Sequence, residues 1–230
     1  MSLEHLPAIR KCIGQYNHLR IYKKILMLKS NFTELNFFLG NIFPHELQTS
    51  KIHVFFEVTL GNRIPDCIIV LNHLNENRVN EIHLYFFEFK TTFAKSTLFS
   101  IQKNTTQKLQ YLQGLKQLQE ATKFLEQYLI KNETTCKISP VICFFRQRGL
   151  KLDFVKTFVS KELQLSLPFI LNLLAQFEND TVKSILSISD TAHFRRACQK
   201  YSHLQRRRNS KTSTNRSNNT AKKKRRNPKK

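Results

Sequence analysis

Asp66 and the triplet Glu88-Phe89-Lys90 place two carboxylates and one ammonium inside runs that are otherwise apolar. Asp66 follows Pro65 and opens the run Cys67-Ile68-Ile69-Val70-Leu71, while Glu88 and Lys90 end the run that starts at Ile82-His83-Leu84-Tyr85-Phe86-Phe87. Both runs read as β-strands. Burying a carboxylate without a partner costs on the order of several kcal/mol, so charged groups at the ends of core strands need a reason. Side chains two apart on a strand point the same way. Glu88 and Lys90 therefore share a face, Phe89 points into the opposite layer, and Asp66 on a neighbouring strand can join them. Two carboxylates and an ammonium at one point suit a divalent cation, Mg²⁺ or Mn²⁺, that activates water for attack on a phosphodiester. In that reading Asp66 and Glu88 are the metal ligands, and the Phe89 carbonyl can add a third oxygen. Glu57, in Phe55-Phe56-Glu57-Val58, is a further ligand if its strand is adjacent and in register. Lys90 orients the attacking water, lowers its pKa or neutralises charge developing on the phosphate.

Blander readings stand beside this one. Asp66 can form a buried ion pair with Arg63 or Lys90, leaving Glu57 at a strand edge. Gln107 and Tyr111 are four apart, so on a helix they share one face and can hold Lys90 and a substrate phosphate. Yet Asn104-Thr105-Thr106-Gln107 also fits a capping box, in which Gln107 only satisfies the Asn104 backbone and Tyr111 is ordinary helix-face contact. His18, His53 and His83 lie in or near apolar segments, where satisfied core or surface histidines are more common than ligands. No Ser-His-Asp ordering and no glycine-rich phosphate loop is present, and five glycines argue against a dinucleotide or Walker-type site.

The elements that must position these groups follow from periodicity. Apolar residues from Ile13 to Leu28 recur at helical spacing within a helical stretch from about residue 6 to 40. Asn31 or Thr33 caps a second short helix that ends at Gly40. Ile52 to Leu60 and Asp66 to Leu71 read as strands, Asn72 to Asn80 as a polar hairpin connection, and Ile82 to Lys90 as a third strand. A loop over residues 91–103 leads to a long helix from Asn104 to about Lys131, then to a buried strand from Ile138 to Phe145. Phe154 to Phe177 reads as largely helical, with Pro168 forcing a break. The pattern dissolves after Ser189. The long helix can carry a parallel crossover. The expected body is α/β, a mixed sheet flanked by helices, over residues 1–190, followed by a basic tail over 191–230 that is disordered from about Leu204.

The 230 residues carry a formal net charge of +22. Fifteen of the 38 Lys and Arg residues, and none of the 16 acidic ones, lie between Thr191 and Lys230. Such a segment binds polyanions by counterion release, with little sequence preference. Its two clusters, Arg206-Arg207-Arg208 and Lys222-Lys223-Lys224-Arg225-Arg226, fit nuclear or nucleolar import and RNA binding. No run is long and apolar enough to span a bilayer, and Met1 to Pro7 lack the layout of a secretion signal. Five cysteines at spacings that match no zinc knuckle or redox pair read as reduced intracellular thiols.

Pro65-Asp66 with Glu88-Phe89-Lys90 resembles the signature of the PD-(D/E)XK nuclease superfamily, and Gln107 with Tyr111 resembles the Q-x-x-x-Y helix element of some of its exonuclease branches. The expected order of elements is that of the superfamily's core. More closely, Phe56-Glu57-Val58-Thr59-Leu60-Gly61-Asn62-Arg63-Ile64-Pro65-Asp66-Cys67-Ile68 followed by Phe87-Glu88-Phe89-Lys90-Thr91-Thr92 is similar to a conserved herpesvirus nuclear protein family whose gene lies beside the thymidine kinase gene in many members. Gly14, His18, Tyr22, Gln107, Gly114, Leu118 and Pro140 fit the same pattern. The resemblance implies a restriction-endonuclease-like fold, a metal-dependent hydrolase site, a nuclear and nucleolar location with the cytoplasm as a second compartment, and a role late in infection that includes nucleolar reorganisation and cell-cycle arrest before mitosis. Nucleic acid and host nucleolar or cell-cycle proteins are the implied partners. The alternative is the same fold without catalysis, binding host nuclear proteins or RNA.

Overall fold

The computed structural model describes residues 8–74, 80–128, 134–202 and 204. The chain opens with α1 (Ala8–Leu28) and α2 (Phe32–Phe38). The Asn31 side chain accepts the Glu34 N–H, as its place before the helix predicts, and Gly40 at φ 90° ends the segment. Three antiparallel strands follow: β1 (Lys51–Phe56), β2 (Cys67–Leu74) and β3 (Asn80–Thr92). The short α3 (Leu98–Lys103) and the long α4 (Thr105–Leu125) then cross over to β4 (Thr135–Arg146), which pairs parallel with β3. The mixed sheet and its parallel crossover agree with the expectation from sequence.

Alternation along the strands splits the core into two layers. Tyr85, Phe87 and Phe89 of β3 point to α1, α2 and the helices near the C-terminus. Ile82, Leu84 and Phe86 point to α3 and α4, through Ile101, Leu118, Ala121 and Leu125. Fully burying one such Phe or Leu is worth about 1.5–3 kcal/mol, so the central strands, apolar on both faces, hold the sheet between two helical layers.

After β3, three stretches differ from the sequence expectation. The supposed loop over 91–103 contains α3, fixed by a reciprocal cap between Thr97 and Ser100. The segment read as largely helical from Phe154 to Phe177 begins with two edge strands, β5 (Leu152–Thr157) and β6 (Lys161–Gln164), before α5 (Leu167–Phe177). Both edge strands pair with β4, which offers ladder partners that local propensity does not register. Pro140, with no N–H to donate, falls at the junction between them, since β6 pairs up to Ile138 and β5 from Val141. The pattern also continues past Ser189. After α6 (Asp180–Leu186), residues 191–202 form α7, which buries Phe194, Cys198 and Tyr201 in the α1 layer. The basic clusters Arg206–Arg208 and Lys222–Arg226 lie outside the described residues, as does the centre of the expected hairpin connection. Among the described residues no helix is long and apolar enough to cross a membrane. The five cysteines are free thiols.

Candidate active site

Asp66 stands where the ladder between β2 and β3 gives out. Its backbone N–H donates to the Phe87 carbonyl at 3.0 Å and its carbonyl accepts the Glu57 N–H at 3.2 Å. One step further, where Pro65 turns away, the side chain takes over: Asp66 Oδ2 accepts the Phe89 N–H at 2.6 Å. Its other oxygen, Oδ1, reaches α1, where it accepts the Tyr22 hydroxyl at 3.2 Å and lies 3.2 Å from His18 Nδ1. His18 and Tyr22 are four apart, on one face of α1. Arg63 pairs with Glu120 on α4 and Lys90 with Glu88, so neither cation of the simple salt-bridge reading touches Asp66.

Glu88 and Lys90 share a face of β3, as alternation predicts, and that face meets α4. Lys90 Nζ is 2.6 Å from Glu88 Oε1. Glu88 is 3% exposed, and its second oxygen, Oε2, is buried with no hydrogen-bond partner.

The charges set each other's protonation. Burial pushes the Glu88 carboxyl up and the Asp66 charge adds to it, against the pull of Lys90, to about 7. Burial would lower Lys90, but Glu88 and Asp66 outweigh it and raise its pKa, so it stays an ammonium. Burial would raise Asp66; His18, Lys90 and the Phe89 N–H reverse that, and its pKa falls below the ordinary carboxylate value. His18 is raised, because Asp66 overcomes the cost of burying its charge. Asp66 is therefore the ionised carboxylate, and Glu88 is held well above the ordinary carboxylate range by burial, with the Asp66 charge adding to it.

Glu57 interrupts the strand expected to run on to Leu60. At φ 48° it turns the chain over, so that Phe56 packs in the α1 layer and Val58 in the α4 layer. Its carboxylate accepts the Tyr201 hydroxyl at 2.6 Å and the Asn179 amide at 3.0 Å. Glu57 is close enough to Asp66 for that charge to add to the upward push of burial on its pKa, but its side chain is committed to α7. Among the described residues, no three His, Cys, Asp or Glu side chains gather as a metal site. Asp66 is bonded to α1 and Glu88 lies on the face that meets α4, yet each senses the other's charge; two carboxylates are a sufficient protein share for a magnesium ion, which uses one or two and keeps several waters. The orphaned Glu88 Oε2, held within electrostatic reach of Asp66, is the feature a cation would satisfy.

A cleft of ≈ 570 Å³ opens over this point, lined by α1, the end of β3 and the start of α4. His18 and Lys90 belong to its lining, with Arg10, Lys11, Gln107, Gln110, Gln113 and Gln147. Asp66 and Glu88 are not among the lining residues; they lie behind His18 and Lys90, to which they are bonded. Gln107 is half of the predicted capping box: its N–H is capped by Asn104 Oδ1 at 3.1 Å. Its side chain does not return to the Asn104 backbone. Nε2 donates to Ser96 Oγ at 3.2 Å, and Oε1 has no partner. Tyr111 is not brought to the cleft; its ring lies 6.1 Å from that of Phe158. His18, Tyr22, Ser96 and Tyr201 are the partners that sequence reasoning missed as site groups. A polar pair four apart on an apolar helix face was the one local signal, and it marked only the first two.

The family described as "Herpes virus proteins UL24 and UL76" matches residues 4–185. The chain is 69% identical to a "Protein UL24 homolog" of Human herpesvirus 7 (strain JI), over 93% of this chain and 92% of the relative. It is 54% identical to the homolog of Human herpesvirus 6B (strain Z29), covering 93% and 84% of the two chains, and 31% identical to that of Epstein-Barr virus (strain B95-8), covering 79% and 70%. No solved structure gives a significant match. With the family's pattern running through most of its length and through the strands that carry Asp66, Glu88 and Lys90, the chain belongs to the herpesvirus UL24 and UL76 protein family.

Proposed function

We propose that this chain is a nuclear and nucleolar viral protein whose core is a metal-dependent phosphodiester hydrolase of the PD-(D/E)XK type, with a restriction-endonuclease-like fold. The observation that carries the proposal is the buried, partnerless Glu88 Oε2 beside an ionised Asp66, with Lys90 held on the other Glu88 oxygen. Asp66 and Glu88 would hold one Mg²⁺ or Mn²⁺. Such an ion supplies Lewis-acid polarisation of a phosphoryl oxygen and a nucleophile at neutral pH.

The chain's own groups do the rest. His18 and Tyr22 fix the Asp66 carboxylate, and His18 and Lys90 keep it charged. Lys90, locked by Glu88, offers a donor at the cleft floor to the phosphate on which negative charge develops. Gln107, anchored on Ser96, lines the same cleft and positions the substrate. Glu57 is assigned to support from behind Asp66, and Tyr111 to the helix face. The clusters Arg206–Arg208 and Lys222–Arg226 would bind polyanions and direct the chain to the nucleus, where the implied effects on the nucleolus and the host cell cycle would follow.

A second reading has its own observation. The carboxylates sit behind the cleft lining rather than in it, which suits a nuclease fold that binds nucleic acid or host nuclear proteins without cutting. Calorimetric titration of the full chain with Mg²⁺ and Mn²⁺, beside incubation with single- and double-stranded DNA and RNA, separates the two. Saturable metal binding with cleavage supports the hydrolase; neither metal uptake nor cleavage supports the binding protein.

A further inference from the structure

The segment that follows Lys90 exposes more apolar surface than a rigid element should. Phe93 and Phe99 are each 64% exposed and Leu98 60%. The segment is nevertheless firmly anchored. Ser96 is fully buried, its N–H donating to Asp153 Oδ2 at 3.2 Å and its hydroxyl bonded to Thr92 Oγ1 at 2.9 Å, and Ile101 plugs into the α4 layer. Singly exposed apolar residues are ordinary; what sets these rings apart is the positive charge beside them. Phe93 lines the cleft beside Lys90, and Lys103 Nζ lies 4.3 Å from the Phe99 ring centroid.

The surroundings are cationic and rich in amides. No acidic residue stands between Glu4 and Glu34, or between Glu88 and Glu120, the two stretches that supply most of the cleft. Gln107, 5% exposed and fixed by Ser96, leaves Oε1 without a partner, as do Gln110 and Gln147. All three line the cleft. A buried amide oxygen left open costs free energy until a donor arrives, and the N–H groups of the pairing edges of bases are free to donate only when the bases are unpaired. Aromatic rings next to positive charge likewise accept unstacked bases and phosphates together. A duplex presents neither free base faces nor free pairing edges.

We infer that the substrate of this cleft is a single-stranded nucleic acid, with Phe93 in the lining and Phe99, outside the lining on α3, stacking on bases and the amides of Gln107, Gln110 and Gln147 facing base edges. This deepens the proposed function and rests on it for chemistry, but not for binding.

The test uses the full chain and fluorescein-labelled homopyrimidine strands of DNA and of RNA, each beside its duplex, at about 0.3 M salt, where the electrostatic contribution of basic residues is reduced. The parent prefers the single strand. The double variant F93A/F99A loses about tenfold or more of its single-strand affinity, with duplex affinity unchanged. A loss with either strand supports the inference, and the arm in which it occurs identifies the sugar. Because the sequence contains no tryptophan, F93W adds a sole reporter at the stacking position, and its emission is quenched by the single strand but not by the duplex. Equal affinity of parent and F93A/F99A for the single strand, with unchanged F93W emission, overturns the inference. Preference for single strands without any cleavage leaves it standing while the hydrolase reading falls; metal-dependent cleavage of duplex without that preference does the reverse.

Discussion

Gly114 of α4 crosses Glu88 of β3 so closely that a Cβ built on the glycine would stand 3.0 Å from Glu88 Cγ, and 3.5 Å from Lys90 Cε. The helix can approach the ion pair because position 114 has no side chain. Gly114→Ala gains about 1 kcal/mol of helix propensity and spends it on displacing Glu88 by a few tenths of an ångström. Urea midpoints should therefore place G114A within about 1 kcal/mol of the parent. Gly114→Leu overfills the contact and should cost about 1–3 kcal/mol and any metal-dependent cleavage. A G114L protein as stable as the parent contradicts this account of α4.

Glu88 makes stability depend on pH in a defined direction. Its folded pKa, about 7, lies above the ordinary value of 4.5. Its contribution is therefore complete below about 4.5 and is lost as pH rises through about 7. In the absence of divalent cations the parent should lose stability between about pH 5 and pH 8 that Glu88→Gln does not. Urea unfolding of both proteins at the two pH values measures it. Parallel slopes for parent and E88Q contradict the assignment.

Tyr201 ties α7 to the bend before Asp66 through its 2.6 Å bond to Glu57. Tyr201→Phe keeps the ring and removes a hydrogen bond to a charged group, which should cost about 2 kcal/mol. Truncation after residue 190 removes Phe194, Cys198 and Tyr201 from the core as well, and should destabilise far more than Y201F. Thermal melts of the two variants decide this; a truncated chain that melts with the parent would mean that α7 contributes nothing to the core.

The basic clusters predict a separable activity. Deleting residues 205–230 removes both clusters. At low salt, duplex affinity should fall, and the dependence of log affinity on log salt should become shallower by about 0.9 per lost phosphate contact. Fluorescence anisotropy over a salt series measures the slope. An unchanged slope would place the polyanion-binding charge in the body of the protein.

The sequence was most legible where one strand's own period carries the chemistry. Glu88 and Lys90 share a face because they are two apart on β3, and no tertiary knowledge is needed to see it. Asp66 was legible as a polar residue opening a core strand, but not its fastening to His18 and Tyr22, since the register of α1 over the sheet is not written in either segment. Gln107 showed its backbone cap; its side chain goes instead to Ser96, in a stretch read as loop. The edge strands β5 and β6 were hidden for a similar reason: Leu163 pairs opposite Cys136 and Val155 opposite Cys143, and only β4 makes those short runs strands. Helix α7 was obscured by the basic composition around it, although Phe194, Cys198 and Tyr201 recur at helical spacing.

Incubation of the purified 230-residue chain with labelled single- and double-stranded nucleic acid and Mg²⁺ or Mn²⁺, beside its Asp66→Ala and Glu88→Ala variants, is the sharpest test of the hydrolase assignment. Metal-dependent cleavage is expected from the parent and none from either variant, with both variants still folded by circular dichroism. Cleavage by D66A or E88A at the parent's rate would contradict that assignment.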